Sequence, residues 1–218
     1  MTGTTEQYAP ESMRACCEKA ATRYFQDLVY EALRIDTYRV AEAMHRIVET
    51  ISAGKTVFVA GNGGSAAAAS HMVCDLATNA VRAGYQSVKI KGIADNLSLV
   101  TALANDNGFQ SVFSHEINAS GEPGDLLVIL SVSGSSENLL EAAKAAKKVG
   151  VSVVGILGCE GVMEEYCDSL VLLGGGDYGL TEDLHMAFNH AVVRILHGGL
   201  PRTVSAPDRA ERTVESVS

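Results

Sequence analysis

Positive charge is scarce in this chain: 17 Lys and Arg against 26 Asp and Glu leave a formal net charge of −9 over 218 residues. That balance argues against nucleic acid or an anionic membrane as a partner. It leaves a small phosphorylated ligand open, because backbone amides and hydroxyls hold a phosphate without Lys or Arg. No apolar run approaches the ~20 residues of a membrane span. The opening stretch MTGTTEQYAPESMR lacks the basic and then apolar regions of a secretory leader. No C-x-x-C pair occurs, and adjacent Cys16 and Cys17 could bridge each other only with strain. With Cys74, Cys159 and Cys167 they read as reduced thiols of a cytoplasmic protein. No break in composition separates Tyr24 from Gly199, so a chain that is 47% hydrophobic reads as one large domain with a sizeable core.

What is present is a helical lead followed by alternating strands and helices. Tyr24, Leu28, Ala32 and Ile35, then Val40, Met44, Ile47 and Ile51, recur at three- and four-residue steps and predict helix from Glu11 to about Ser52. Asp36 and Thr37 divide it, with Asp36 as an N-cap. Such an amphipathic stretch ahead of the first strand needs a partner surface, either a second subunit or its own domain. KTVFVAG reads as a buried strand, and SVKIKG, DLLVILSVSG, VSVVGILG and SLVLLGG as further strands. GNGGSAAAASHMVCDLA, NLSLVTALAND, SENLLEAAKAAKKVG and TEDLHMAFNHAVVRILHGG read as the helices between and after them, with Gly150 at a C-terminus. This alternation predicts an α/β protein with a doubly wound parallel sheet and its ligand beyond the carboxyl ends of the strands. The expected organisation is a helical extension over 1–52, one α/β domain over 53–200 and a flexible tail over 201–218, with residues 1–10 polar and mobile.

Two loops carry a phosphate argument. Gly61-Asn62-Gly63-Gly64-Ser65 lies between a strand and a helix, where glycine permits close approach and the helix start offers free N–H groups. It lacks both the G-x-G-x-x-G and the G-K-[ST] fingerprints, and an ordinary turn would look similar. Ser131-Val132-Ser133-Gly134-Ser135-Ser136 is the second loop. Helix capping explains one of its serines, Ser135 or Ser136, but not four within six residues, and the set reads as a neutral phosphate cradle. Histidines and carboxylates gather elsewhere. His71 and Asp75 are one helical turn apart, and Glu182 and His190 two turns apart with His185 between them. Two histidines and two carboxylates on two helices suit zinc with an open position, but such pairs also decorate solvated helix faces.

GNGGS with a histidine six residues later, SVSGSSENL, and ANDNGF between them resemble the sugar isomerase (SIS) domain, and within it the phosphoheptose isomerases, over about residues 20 to 200. The resemblance implies a flavodoxin-like SIS fold, a homotetramer with active sites between subunits, and a phosphorylated sugar as substrate. The implied reaction converts sedoheptulose 7-phosphate into a glycero-manno-heptose 7-phosphate by acid–base enediol chemistry. It assigns the phosphate to Ser131, Ser133 and Ser136, and the sugar site to Asn62, Gly63 and Ser65, with Asp106 as a substrate contact and Asp95 of similar rank. In the family the positions of His71, Asp75, Glu182 and His190 carry His, Glu, Gln and His. Zinc binds there in some members, the glutamate serving as base and the second histidine as acid. The resemblance therefore implies Asp75 and His190 as catalytic, a metal set of His71, Asp75, Glu182 and His190, and Glu182 at the substrate.

Three departures stand out. Asp75 is one methylene shorter than the expected glutamate, about 1 Å of reach. Glu182 is charged where the family has an amide, and Asn79 replaces a common arginine. The resemblance leaves two alternatives. One is a non-catalytic protein of the DnaA initiator-associating type, which has asparagine where His190 stands; the other is an isomerase of a different sugar phosphate. Cys74 reads as packing, and His45, His115 and His197 as surface or structural residues.

Overall fold

A computed structural model describes residues 10–93 and 95–199; the expectations for the first nine residues and for the tail over 201–218 lie outside the described residues. Helices α1 (Pro10–Leu33) and α2 (Thr37–Ser52) lead into β1 (Thr56–Gly61), α3 (Gly63–Arg82), β2 (Lys89–Gly92), α4 (Leu97–Asn107) and α5 (Ser114–Ser120). Then follow β3 (Leu126–Ser131), α6 (Glu137–Val149), β4 (Ser152–Leu157), β5 (Ser169–Leu172) and α7 (Tyr178–Leu196). The strands form one parallel sheet in the order β2-β1-β3-β4-β5, the doubly wound arrangement expected. Asp36 caps α2 as its sequence position predicts, accepting from the backbone N–H groups of Tyr38 and Arg39. The short α5 has no counterpart in the sequence reading: it is two turns long and buries Ile117 alone, too little for a periodic signal.

The central strands are buried on both faces, and the two-residue period sorts their side chains into two cores. Val57, Val59, Val128, Leu130 and Ile156 face α2, α3 and α7, where Ile47, Ile51, Met72, Leu76 and Phe188 meet them. Phe58, Ala60, Leu127, Ile129 and Val153 face the other way, toward Leu103, Ile117, Leu139 and Ala146 of α4, α5 and α6. Helix α2 is thus part of the domain's own core. Helix α1 lies at the margin of that core: Leu28 packs against it, and the helix touches α7 and the Gly174–Gly176 turn but leaves Phe25, Val29 and Leu33 64%, 59% and 82% exposed.

His185 lies at the centre of the first core with no exposure. Its Nε2 is 3.0 Å from the Ile156 carbonyl oxygen, so Nε2 carries the proton and donates, while Nδ1 is buried without a partner among the described residues. Burial outweighs that hydrogen bond and pushes the imidazole pKa down to about 4. The unfolded chain, with histidine near pH 6.5, therefore binds the extra proton first as pH falls, and stability is lost between about pH 6.5 and 4. The expected loss from this residue is about 3 kcal/mol across that window. Urea titrations at pH 7 and pH 4 should show a smaller drop for His185→Gln than for the wild type; equal drops would refute the assignment.

Candidate active site

The chain turns from β1 toward β2 on one side and, through β3, toward β4 on the other, so the sheet switches direction between β1 and β3. Ligands of open α/β sheets bind at such a point. Gly61 of β1 pairs with Leu130 of β3, which brings the glycine loop and the serine loop side by side. Asn62 stands at the N-cap position of α3 but makes no capping bond. Its amide instead exchanges two 2.9 Å hydrogen bonds with Asn138 at the start of α6, tying the two loops together. The first amides of α3 thus receive no side-chain cap from Asn62.

The serines depart from the capping explanation as well. Ser136 is the N-cap residue of α6, yet its hydroxyl makes no cap bond. Ser131 Oγ accepts from Gly134 N at 3.2 Å, and Ser133 Oγ from Ser135 N at 3.3 Å, curling the loop around Gly134, whose φ of +61° favours glycine. Between the loops lies a cleft of about 270 Å³ lined by Asn62, Gly63, Ser65, Ser131, Ser133 and Ser136. Glu182, from the first turns of α7, also lines it, and among the described residues no Lys or Arg does. The Glu182 carboxylate lies directly over Gly64: a Cβ there would meet it at 2.1–2.3 Å and displace it.

Further along α3, its neighbour α7 brings His190 to His71. Their Nε2 atoms are 3.3 Å apart and their rings meet edge to face. Asp75 Oδ2 is 3.1 Å from His71 Nε2 and 3.9 Å from His190 Nε2. Among the described residues this is the group whose ligand atoms lie close enough, all within 4.8 Å, to hold a metal ion. Asp75 is mostly enclosed, with 22% of its side chain exposed, whereas His71 and His190 are 42% and 57% exposed. Glu182 is not in the group. Eight residues of helix separate it from His190 by about 12 Å of rise, and its carboxylate reaches the cleft instead.

Other expected positions lie elsewhere. Asp106 is exposed in the last turn of α4, accepting from Asn105 Nδ2, and lines neither the cleft nor the histidine group. Asp95 lines a separate cavity of about 230 Å³ on the far side of Asn62 and Gly63. Asn79, in the arginine's place, is buried; it donates to the Asp75 carbonyl and pairs with His197 Nε2, clamping α3 to α7. Cys74 is exposed and outside the metal-capable group. Asn138 and Asn189 escaped the sequence reading. Asn189, at the end of MAFN and beside His190, is the one signal it offered: an amide in an apolar stretch of helix.

A parallel sheet of this order, with glycine and serine loops meeting at its switch point, defines the chain as a member of the SIS domain family, whose model matches residues 22–158. Within that family the chain falls among the isomerases of phosphoheptose type. It is 40% identical to the phosphoheptose isomerase of Campylobacter concisus over 151 residues, 69% of this chain and 79% of the relative. It is 34% identical to that of Rhodospirillum rubrum over 87% of this chain and 98% of the relative. The solved phosphoheptose isomerase of Neisseria gonorrhoeae superposes with a TM-score of 0.75 at 26% identity, covering 84% of this chain and 99% of the other.

Proposed function

We propose that the chain interconverts sedoheptulose 7-phosphate and a glycero-manno-heptose 7-phosphate, or a close stereoisomer. The observation that carries this reading is the meeting of His71, Asp75 and His190, from helices more than a hundred residues apart in sequence, on the helix whose start lines the cleft. Ser131, Ser133, Ser136 and the start of α3 hold the phosphate with hydroxyls and amides, and Asn62, Gly63 and Ser65 line the path of the sugar. From Ser65 to His71 is six residues of helix, about 9 Å. An extended seven-carbon chain spans a similar length from phosphate to C1, at about 1.3 Å of projected length per bond.

The reaction needs one base and one acid. Asp75 accepts a proton from C1 of the ketose, and the electron pair moves to form the C1–C2 double bond of an enediol. The ring N–H of His190 donates to the carbonyl oxygen at C2 and passes it a proton as charge develops there. Reprotonation at C2, with loss of the O1 proton, yields the aldose. Asp75 is held beside both imidazoles, so the two proton carriers share one reaction space.

The residues fit zinc. Two nitrogens bound to a tetrahedral zinc at about 2.05 Å lie about 3.3–3.4 Å apart, which is the separation of the two Nε2 atoms. His71, Asp75 and His190 would hold the ion; Glu182, over Gly64, acts at the substrate. When bound, zinc supplies a positive charge that stabilises oxygen anions at the reacting carbons. We place the enzyme in the cytoplasm, where its five free thiols would stay reduced. No helix among the described residues is long and apolar enough to cross a membrane.

A second subunit completes the proposal. The histidines stand half open to solvent, and α1 presents Phe25, Val29 and Leu33 with nothing among the described residues covering them. A homotetramer that buries α1 and closes the site would account for both. The residues 1–52 would then contribute one core helix and one oligomerisation helix.

The test is proton NMR of the purified protein with sedoheptulose 7-phosphate, before and after chelation and zinc addition. The expected result is a new anomeric aldose signal that chelation removes and zinc restores. Turnover that survives chelation would discard the metal, and no aldose under any condition would discard the reaction.

A further inference from the structure

Asn189 is a buried polar residue that the steps above leave unused. It is 1% exposed and sits between Phe188 and His190 on α7. Its Nδ2 donates to Asp75 Oδ2 at 2.8 Å, and its Oδ1 is buried with no partner among the described residues. The oxygen receiving this bond is the same one that faces His71 Nε2 and His190 Nε2. A buried amide with an orphaned oxygen destabilises the fold. Leucine, which has the same branching at Cγ and no polar atom, would suit a purely structural place between two apolar helix faces better.

We infer that Asn189 is a positioning residue, whose amide holds the Asp75 carboxylate with Oδ2 toward the two imidazoles and makes aspartate, not glutamate, the competent acid at this position. The inference rests on the proposed reading of His71, Asp75 and His190 as the acid–base and zinc site. A hydrogen bond from outside to a ligating carboxylate fixes its orientation and sharpens its preference for the ion. It also removes rotamer freedom that a proton-accepting group would otherwise have to lose at each turnover. Glutamate at position 75 would carry its carboxylate about 1 Å further from the backbone. It would then overshoot the Asn189 amide and leave that whole group buried without a partner. The short acid and the buried amide form a matched pair, contributed by facing helices 114 residues apart in sequence.

The experiment compares wild type, Asn189→Leu, Asp75→Glu and the double variant in three readouts. These are zinc affinity by competition with a chromophoric chelator, the visible spectrum of the cobalt(II)-loaded protein, and kcat and KM for sedoheptulose 7-phosphate. Asn189→Leu is expected to weaken zinc about 10- to 100-fold. It should lower kcat, leave KM within about twofold and alter the cobalt bands. Asp75→Glu should cost as much in the wild-type background and little more in the Asn189→Leu background, because the two act through one contact. Wild-type zinc affinity and kcat in Asn189→Leu would overturn the inference alone, as would losses that simply multiply in the double variant. A wild type that neither binds zinc nor turns over sugar would instead overturn the proposed function, and the inference with it.

Discussion

Asp75→Asn is expected to lower kcat about 10²- to 10⁴-fold while KM changes by no more than a few-fold. The substitution keeps the shape of the side chain and removes its capacity to accept a proton from carbon. Its Oδ1 can still accept the Asn189 amide, so the contact that joins α3 to α7 survives. In the proposed reading the serine loop holds the phosphate, away from this substitution, so substrate binding has little reason to change. Steady-state kinetics together with a thermal melt check the prediction. A folded variant with kcat within tenfold of wild type would remove Asp75 from the role of base.

The second large effect is expected at the opposite end of the substrate. Ser136 is the N-cap residue of α6, with extended backbone angles and a hydroxyl that caps nothing. Aspartate is among the best N-cap residues and complements the helix dipole, so Ser136→Asp should hold or raise stability, by up to about 1 kcal/mol. The same carboxylate would occupy the place proposed for the phosphate. Two like charges about 5 Å apart repel by about 3 kcal/mol at an effective dielectric of about 20, which corresponds to roughly 10² in affinity. KM is therefore expected to rise about a hundredfold while the melting temperature stays level or increases. An unchanged KM would mean that the phosphate binds elsewhere.

The parts of this molecule that were legible in the sequence are those written locally. The buried central strands are short apolar runs, and the break at Asp36 is a side chain reaching two and three residues ahead. The glycine and serine loops are legible for the same reason, and parallel pairing of β1 with β3 then puts them side by side. What escaped depends on residues distant in sequence. No local pattern says that Asn62 abandons its capping position for Asn138, or that Asn189 reaches Asp75. Helical spacing identified the shared face of Glu182 and His190 but not what each meets across it: Glu182 lines the cleft, whereas His190 joins His71 and Asp75. The period read in α1, through Tyr24 and Leu28, is the stripe that docks. Tyr24 binds Asp183 through its hydroxyl, which that contact pushes up to a pKa of about 12. A second apolar stripe through Phe25, Val29 and Leu33 overlaps it and stays exposed. Asp106 was expected from the resemblance alone, and within one chain it stands apart from the cleft.

The central claim is proton transfer between neighbouring carbons by Asp75 and His190, with the phosphate anchored at the sheet's switch point. Turnover of sedoheptulose 7-phosphate in deuterium oxide, followed by proton NMR and mass spectrometry, tests it most directly. Both groups exchange protons with solvent, so the account predicts an aldose carrying deuterium at C2. Aldose formed without deuterium, or no aldose with or without zinc, would contradict it.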